Sequence, residues 1–563
     1  MNPTVALTGM LPAILILSAA VTAPLAWFIL RSYRAAVMRS MRSSSKSAST
    51  PVGLVDHSGD PPVAGLPPAF VELDASTAAS LSQSAMRAFQ AAQRSQWRTA
   101  AVYVAGGGAY GFVHAVTWML ISGGELIPVR FLWLFVVHCF PAVLAAGLVA
   151  FVDRKERVLL ASLYLAILLA VGCIALVRNP GLTAAGLIFF FLGVNVPAVL
   201  LLIAFLRRNV RAVGPLVLSF VLTGVAGAFI AVQLAGASEA FLRGLVAAGG
   251  IVGLGARGLF VLLHAAGFAA FAVLGWRLLG WVGRRYEQKR ISEQSLTIDS
   301  MVLLFSVVHS VGYVFDGWAY VLAAPGSVLA FKLAVRLSFR LAAAPRATGP
   351  VMLLLRVFAL GPRSEALFRR LSLRWLHSGS IALIAGPDLA TATVEPHEFF
   401  AFLGRRLARQ FIEGPAALDH RLSRLDLLPD PDGRYRVNEF FCHRDTWQVT
   451  MTRLAGLSQA VLMDLRGFSP ANQGCRWELE QLLASIPLGR VLFVIDGTTD
   501  VAFLREGFAE LCARIPYNSP NRHVSPPQPY LFRVSEQSGR EIELLLQWLY
   551  NVIEPQAQQA VAV

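Results

Sequence analysis

Long apolar runs dominate the first 345 residues of the chain. The first run, Leu7–Leu30, has the length that a helix needs to cross a bilayer, which is about 20 residues. A polytopic helical region with seven to eight spans is therefore predicted for residues 98–345. Its apolar runs fall at 99–122, 127–152, 158–177, 182–206, 212–236, 258–282 and 300–324.

Basic residues flank these runs unevenly and predict the orientation of the chain. No positive charge precedes Leu7–Leu30, whereas several basic residues follow it. The positive-inside rule then makes residues 1–30 a retained anchor, rather than a signal peptide, with its N-terminus outside. Dense basic clusters after every second span, as at Arg207–Arg211, agree with this orientation. A multi-pass protein of the inner (plasma) membrane is predicted.

Residues 31–97 are predicted to be a flexible linker that contains an amphipathic helix. The stretch 40–75 is rich in serine, proline and glycine and offers no core to bury. Asp74–Arg98 then has helical periodicity, with Leu81 and Phe89 among its apolar positions. This helix lies either on the membrane surface or in solvent as a helical linker.

The segment Ser327–Ala344 decides where the carboxyl half lies. It is apolar but carries Lys332, Arg336 and Arg340 at a spacing of four, on one helical face. If it spans the bilayer, with its long basic side chains reaching the interface, it delivers residue 345 onward to the cytoplasm. If it lies at the interface, the carboxyl half is outside. We favour the span.

After Pro350 the long runs give way to short apolar strands that alternate with amphipathic helices. Strands are predicted at Val351–Phe358, Ser380–Ala385, Ala460–Leu465, Arg490–Ile495 and Tyr530–Val534, with a short edge strand at Tyr435–Cys442. Continuously apolar strands separated by helices are typical of a doubly wound parallel sheet that is covered on both faces. One α/β domain is therefore predicted at 350–555.

Composition supports a membrane protein and argues against several other classes. Hydrophobic residues make up 55% of the chain and charged residues only 15%, well below the quarter that is usual in soluble domains. The net charge of +15 comes largely from residues that flank apolar runs, so no nucleic-acid partner is expected. The five cysteines form no CxxC pair, and neither a disulfide framework nor a metal site is indicated.

Polar residues within the apolar runs are functional candidates, because ionisable groups are rare inside membranes. The alternative is that such histidines only form hydrogen bonds between helices. Two matches to GxGxxG, at Gly106–Gly111 and Gly253–Gly258, follow no strand, and close helix packing explains Gly107 and Gly111 better. The polar candidates are His114, His138, Asn195, His264, His309 and Asp316.

The stretch Gln459–Leu483 carries the best candidate chemistry. An apolar strand ends in Asp464, a polar loop follows, and Trp477 and Glu478 are predicted to open a helix. A carboxylate in a first helical turn is stabilised as an anion, and it could orient a ribose hydroxyl or stabilise an oxocarbenium ion. The alternative is that Glu478 is an ordinary first-turn charge and Trp477 a core residue.

Two neighbouring motifs are weaker candidates. His443-Arg444-Asp445 matches the kinase catalytic triplet, but Thr450 stands where a metal-binding asparagine is needed. Cys442 and His443 alone are too few to indicate a metal site. Asp496–Asp500 follows a strand, and we interpret it as a strand-to-helix turn with Asp500 as the N-cap.

The order of these elements, together with Ala460–Leu483, resembles the Toll/interleukin-1 receptor (TIR) superfamily. The resemblance covers roughly residues 350–550 and implies a flavodoxin-like sheet on the cytosolic side. Enzymatic TIR domains cleave the nicotinamide–ribose bond of NAD with a glutamate, and Glu478 in CRWELEQLL matches it by position. The implied NAD-contacting candidates are Arg356, Asp388, Asp464, Ser469 and Trp477.

Three functions stay open from the sequence. The resemblance implies a signalling or defence protein in the lipid bilayer that takes NAD as substrate, needs no resident cofactor and self-associates through its cytosolic domain. A non-catalytic module of the same shape would bind a nucleotide or a partner. A transporter with a regulatory cytosolic domain is the third.

Overall fold

The computed structural model describes most of the chain and combines a helical region with a parallel α/β region. The described residues are 3–43, 68–74, 81–123, 127–151, 153–206, 213–310, 312–342, 347–357, 362–386, 396–522, 528–535 and 538–561.

The amino-terminal half consists mainly of long helices. Their bounds are α1 Pro3–Arg42, α2 Gln83–Ile121, α3 Pro128–His138, α4 Phe140–Ala150, α5 Arg154–Arg178, α6 Ala184–Leu206, α7 Gly214–Gly236, α8 Glu239–Ile251, α9 Ala256–Glu287, α10 Glu293–Ser310 and α11 Ala323–Leu341.

Several of these helices have the length and composition of membrane spans. Among the described residues, five qualify: α2, α5, α6, α7 and α9. The pair α3 and α4, bent by 41° at Cys139, makes a sixth if it is counted as one span. Pro141 in the first turn of α4 explains the break, because it cannot donate to the preceding turn. The chain therefore has the helices of a multi-pass membrane protein.

The apolar run at 300–324 does not form one helix, contrary to the prediction. Helix α10 ends at Ser310, and two short 3₁₀ turns follow at Gly312–Phe315 and Trp318–Leu322. Gly317 between them has a φ of +145°, which side chains rarely adopt. The chain thus reverses, and α10 and α11 form a hairpin.

The linker predicted at 31–97 is also shorter than expected. Helix α1 continues past the predicted anchor to Arg42, and α2 is one helix from Gln83 through its apolar part. The first turns of α2 bury Ala85, Phe89 and Ala92 against the α/β region, so they lie neither free in solvent nor on a membrane surface. These turns are ordered because their apolar side chains are buried in the core of the α/β region, which the local composition of the segment does not reveal.

One parallel sheet organises the carboxyl half. The described strands are β1 Val71–Leu73, β2 Val351–Arg356, β3 Ser380–Ile384, β4 Phe411–Ile412, β5 Val437–Cys442, β6 Ala460–Asp464, β7 Val491–Ile495 and β8 Tyr530–Arg533. Their order is β1-β8-β7-β6-β2-β3-β5-β4, and all the pairs are parallel. The strand β1 comes from the predicted linker and extends the sheet beyond β8.

Helices cover both faces of this sheet, as the continuously apolar strands predict. They are α12 Pro362–Trp375, α13 Pro396–Leu403, α14 Pro415–Leu422, α15 Trp447–Leu457, α16 Gln473–Ser485, α17 Val501–Ala513 and α18 Gly539–Val561. Alternate residues of β2 divide between the two cores: Leu353 faces α15 and α16, whereas Leu354 faces α12 and α18. The strands β3-β2-β6-β7-β8 follow the 2-1-3-4-5 order of flavodoxin-like sheets. The predicted α/β fold is confirmed at this level.

Two local predictions in this half are wrong. The helix predicted at His397–Glu413 ends at Leu403, because Arg405 adopts a left-handed conformation with a φ of 55° and caps it. The chain then forms β4, which pairs with β5. The strand β5 is therefore internal rather than an edge strand, and its carboxyl end lies between those of β3 and β4.

The loop before β5 joins the two halves of the molecule. Arg436 forms an ion pair of 2.8 Å with Asp430 and donates a hydrogen bond of 2.7 Å to the carbonyl of Tyr286 at the end of α9. Thr99 of α2 donates to the carbonyl of Asp432 at 2.9 Å. Burial raises the pKa of Asp430 to about 7, although Arg436 opposes the shift. The α/β region is thus hydrogen-bonded to the carboxyl end of α9 and to α2, both of which qualify as membrane spans by length and composition.

Candidate functional site

A cavity of about 580 Å³ opens at the carboxyl end of the sheet. Strand order reverses between β2 and β6, and in open α/β sheets ligands bind in the crevice at such a point. The ends of β3 and β5, the start of α16 and the end of α1 enclose the cavity. Its lining includes Met38, Met41, Arg42, Ala385, Cys442, His443, Arg444, Trp447, Asn472, Cys475 and Glu478.

Glu478 lies at the buried side of this cavity. Its side chain is 3% exposed, and Oε2 has no hydrogen-bond partner among the described residues. Burial raises the pKa of this carboxyl to about 8, while the positive charge of Arg356 acts in the opposite direction. At neutral pH the carboxyl is therefore largely protonated in the free protein.

The expectation that Glu478 is a first-turn anion is wrong. Helix α16 begins at Gln473 after Asn472, four residues earlier than predicted, which places Glu478 in the second turn and facing inward. The amides of the first turn lie too far away to stabilise its charge. Desolvation therefore dominates, and it favours the neutral acid.

Arg356 lies beside this acid but does not line the cavity. It is the last residue of β2, is 3% exposed, and donates Nη1 to the carbonyl of Ile384 at 3.4 Å. The Sγ atom of Cys475 lies 3.8 Å from the carbonyl oxygen of Arg356. Arg356 therefore acts on the pKa of Glu478 through its charge, from a buried position that does not line the cavity.

Asp464 has a structural role instead of facing the cavity. Both of its carboxylate oxygens accept hydrogen bonds of 2.7 Å from the guanidinium of Arg466. The side chains of Asp464 and Arg466 are 2% and 0% exposed. This bidentate ion pair engages both carboxylate oxygens, so the carboxylate of Asp464 is not presented to a ligand.

Ser469 and Trp477 support the cavity from outside. The amide and hydroxyl of Ser469 donate to Oδ1 of Asn472, at 2.9 and 3.1 Å, and so hold the loop that precedes α16. The ring of Trp477 packs edge-on against Trp447, with ring centroids 5.0 Å apart. Trp477 packs on the core, as the alternative interpretation proposed. Asp388 lies outside the described residues.

The sequence did not indicate that α1 covers this cavity. His443 Nδ1 donates a hydrogen bond of 2.9 Å to the carbonyl of Ser40, and the Arg444 amide donates to the carbonyl of Ser43 at 3.2 Å. These bonds hold the end of α1 against the end of β5. Met38, Met41 and Arg42 thereby become cavity residues, although they precede His443 by about 400 residues in the chain.

The lining combines several kinds of chemistry. Arg42 and Arg444 bring positive charge to the rim, Trp447 brings an aromatic surface, and Glu478 brings a buried carboxyl. Burial raises the pKa of the thiols of Cys442 and Cys475, which keeps them protonated and poorly nucleophilic. Such a cavity suits an anionic ligand with a flat ring.

Asp500 accepts from the amide of Phe503 at 3.0 Å, so its predicted N-cap role is confirmed.

No family model, curated protein or solved structure matches this chain.

Proposed function

We propose that this protein is a membrane-bound signalling or defence protein whose α/β domain binds NAD and cleaves its nicotinamide–ribose bond. One observation carries the proposal: Glu478 places a buried carboxyl, with one oxygen that has no partner among the described residues, at the side of an open cavity near the topological switch point of the sheet. Perturbed acids in such cavities are the usual mark of acid–base or electrostatic catalysis.

The positive charge of NAD would favour the ionised form of Glu478, which burial disfavours in the free protein. NAD carries a positive charge on its nicotinamide ring, and an opposite charge beside Glu478 lowers the pKa of that carboxyl and favours its ionised form. The glycosidic bond then breaks with its electron pair moving to the ring nitrogen, which leaves nicotinamide neutral. The Glu478 carboxylate stabilises the oxocarbenium ion that forms on the ribose, and water adds to it with loss of a proton.

The other lining groups fit the rest of the molecule. Arg42 and Arg444 are placed to attract the pyrophosphate, and Trp447 offers a face for an aromatic base. Arg42 belongs to α1, so the ligand would contact the membrane anchor and the α/β domain together.

The proposal includes an orientation. The N-terminus lies outside, α11 crosses the bilayer, and the α/β domain lies in the cytoplasm, where it self-associates. A reporter fused after Val563 should be shielded from external reagents in whole cells; labelling from outside would overturn this orientation.

Release of nicotinamide by the full-length protein tests the proposed reaction. A fragment that begins at residue 350 would lack β1, the packed face of α2 and the end of α1, so the whole chain is required. The substitution Glu478→Gln should lower the rate by at least about a hundredfold, because loss of one group that stabilises the charge of a transition state costs about 10²–10³. Glu480→Gln, on the same helix but outside the cavity, is the matched control and should retain activity. Equal rates in the two variants would refute the catalytic role.

A second candidate is a non-catalytic nucleotide-binding module. The neutral form of Glu478 favours it, since a protonated carboxyl can donate a hydrogen bond to a ribose but cannot stabilise a cation. Quenching of tryptophan fluorescence by NAD, weakened about tenfold or more in Arg444→Ala, without any nicotinamide release, would select this candidate.

A further inference from the structure

Three histidines meet inside the helical half, and none of them lines the cavity at the sheet. His114 lies in α2, His138 at the end of α3 and His309 in α10. One ring nitrogen of each lies within 4.8 Å of those of the other two, and all three side chains are buried. The long separations between them in the chain hide this cluster from any search for local ligand spacing.

The hydrogen bonds of the cluster all engage the same nitrogen of each ring. Nδ1 of His114 lies 2.8 Å from the hydroxyl of Tyr313, and Nδ1 of His309 lies 2.7 Å from that of Tyr110. Nδ1 of His138 lies 2.6 Å from the carbonyl oxygen of Leu134. A carbonyl can only accept, so Nδ1 of His138 carries hydrogen, and in the neutral ring Nε2 has a free lone pair.

The remaining nitrogens are buried without partners. Nε2 of His114, His138 and His309 has no hydrogen-bond partner among the described residues. A buried polar atom without a hydrogen-bond partner destabilises the fold, and three such atoms that converge destabilise it more. His114 and His309 bridge neighbouring elements through Nδ1, and this role leaves the three converging Nε2 atoms unexplained.

We propose that the three histidines bind a single first-row transition-metal ion, zinc or copper, through their Nε2 atoms. Metal-bound histidines donate the other ring N–H to a carbonyl or another polar group, which orients the ring and leaves its lone pair on the metal. Tyr110, Tyr313 and the Leu134 carbonyl are placed for this role. The site is independent of the proposed cleavage of NAD.

The donor set selects this class of ion. The cluster holds no carboxylate, whereas calcium and magnesium require oxygen ligands. Imidazole nitrogens suit zinc and copper, and the affinity of divalent ions for such sites is highest near copper. The choice between the two ions is a matter for the experiment.

Ring positions agree with one small ion rather than a haem. The ring centroids of the three histidines are 5.0–5.2 Å apart. Two imidazoles bound at about 2.0–2.1 Å with tetrahedral angles have centres roughly 5 Å apart, whereas axial ligands on opposite sides of a haem iron would be separated by over about 6 Å. Three protein ligands leave a fourth position for water or a small ligand.

Asn195 adds a fourth polar group next to the cluster. Its Nδ2 donates to the carbonyl of Val137, beside His138, at 3.3 Å. Its Oδ1 is buried and also has no partner among the described residues. Asn195 thus adds a buried acceptor next to His138, and an ion bound by the three histidines would connect α2, α3 and α10.

Metal analysis of the full-length protein tests the proposal. The chain is purified in detergent with an affinity tag that contains no histidine, then loaded separately with zinc(II) and copper(I) and passed over a desalting column with a weak chelator. We expect about one equivalent of at least one ion. His114→Gln, His138→Gln and His309→Gln should each fall to background. His264→Gln, a histidine of α9 outside the cluster, is the matched control and should retain the ion.

A spectroscopic readout covers the case in which the glutamine variants fail to fold. Cobalt(II) added to the wild-type protein should give the visible bands of a nitrogen-coordinated, near-tetrahedral ion, and excess zinc should remove them. Tyr110→Phe and Tyr313→Phe keep all the ligands and should weaken the affinity by about 10- to 100-fold. Less than a tenth of an equivalent of either ion together with no cobalt bands would overturn the site, as would equal metal content in His138→Gln and wild type.

Discussion

The two halves of this molecule satisfy their buried polar groups differently. In the α/β half, buried charges are paired, as in Asp464–Arg466, or bind across to the other half, as Arg436 does. In the helical half, hydroxyls bond back to the preceding turn, as Thr117 does to the carbonyl of Val113 at 2.9 Å and Thr223 to that of Ser219 at 2.7 Å. In these examples the charged groups of the α/β half form ion pairs, and the hydroxyls of the helical half use the carbonyls of their own helices.

This difference makes the exceptions informative. Glu478 Oε2 and the Nε2 atoms of the three histidines are buried without a hydrogen-bond partner among the described residues, as are other atoms such as the Tyr103 hydroxyl and Oγ of Ser364. Glu478 differs from those because it lines a cavity, and the histidine nitrogens differ because they converge on one point. Buried polar groups are nearly always satisfied, so each exception needs a reason. A ligand site is the reason we infer in both places.

The largest expected effect concerns a paired charge of the α/β half. Asp464→Asn leaves the Arg466 guanidinium buried without its counter-charge, which should lower the free energy of unfolding by about 3–5 kcal/mol. Denaturant unfolding followed by tryptophan fluorescence measures it. Asp419→Asn is the control, because that acid pairs with Arg453 on the surface and should cost about 0–1 kcal/mol. Similar losses in both variants would contradict the assignment of Asp464 as a structural residue.

The unpaired acid should show itself through the pH dependence of stability. Below pH 4.5 the carboxyl of Glu478 is protonated in both states; between that pH and about 8 it ionises only in the unfolded chain. The wild type should therefore lose about 1.4 kcal/mol per pH unit relative to Glu478→Gln across this window. Unfolding measured at pH 5, 6 and 7 tests this. A difference that does not change with pH, or one that favours the wild type as pH rises, would show that the carboxyl is not desolvated.

The smallest expected effect concerns packing in the helical half. A Cβ on Gly107 of α2 would lie 2.2 Å from the Cβ of Ala142 in α4 and 2.8 Å from its Cα. Gly107→Ala should force these helices apart and cost about 1–3 kcal/mol, seen as a lower thermal midpoint in detergent. At Gly108 the added Cβ meets no described atom within 4 Å, so Gly108→Ala should be neutral or slightly stabilising. Equal midpoints for the two variants would exclude close packing at Gly107.

Local pattern was sufficient for most elements of the sheet. The predicted strand Ala460–Leu465 is β6 at Ala460–Asp464, and Arg490–Ile495 is β7 at Val491–Ile495. These strands are apolar at every position because both faces are covered, and this property can be recognised without knowing the neighbours. Close packing at Gly107 and Gly111 was predicted in the same way, and the structure confirms it.

The candidate site was predictable only in part. Glu478 was identified from its place after a strand, but its protonation state was not, because that depends on where α16 begins and how deeply the side chain is buried. Asp464 was expected to face a ligand and instead binds Arg466. A carboxylate at the end of a strand can face a ligand or pair with a nearby side chain. Which of the two it does depends on the position of that side chain, here Arg466.

By itself the sequence determined what the short-range periodicity of side chains carries: apolar helices long enough to span a membrane, and buried strands that alternate with helices. The tertiary structure alone decided which distant segments meet. It placed β5 inside the sheet, brought the end of α1 over the cavity, and gathered His114, His138 and His309 around one point. The reason is physical. Periodicity reports which face of an element is buried, whereas partners far apart in the chain are selected by the packing of whole surfaces, which leaves no local pattern in the sequence.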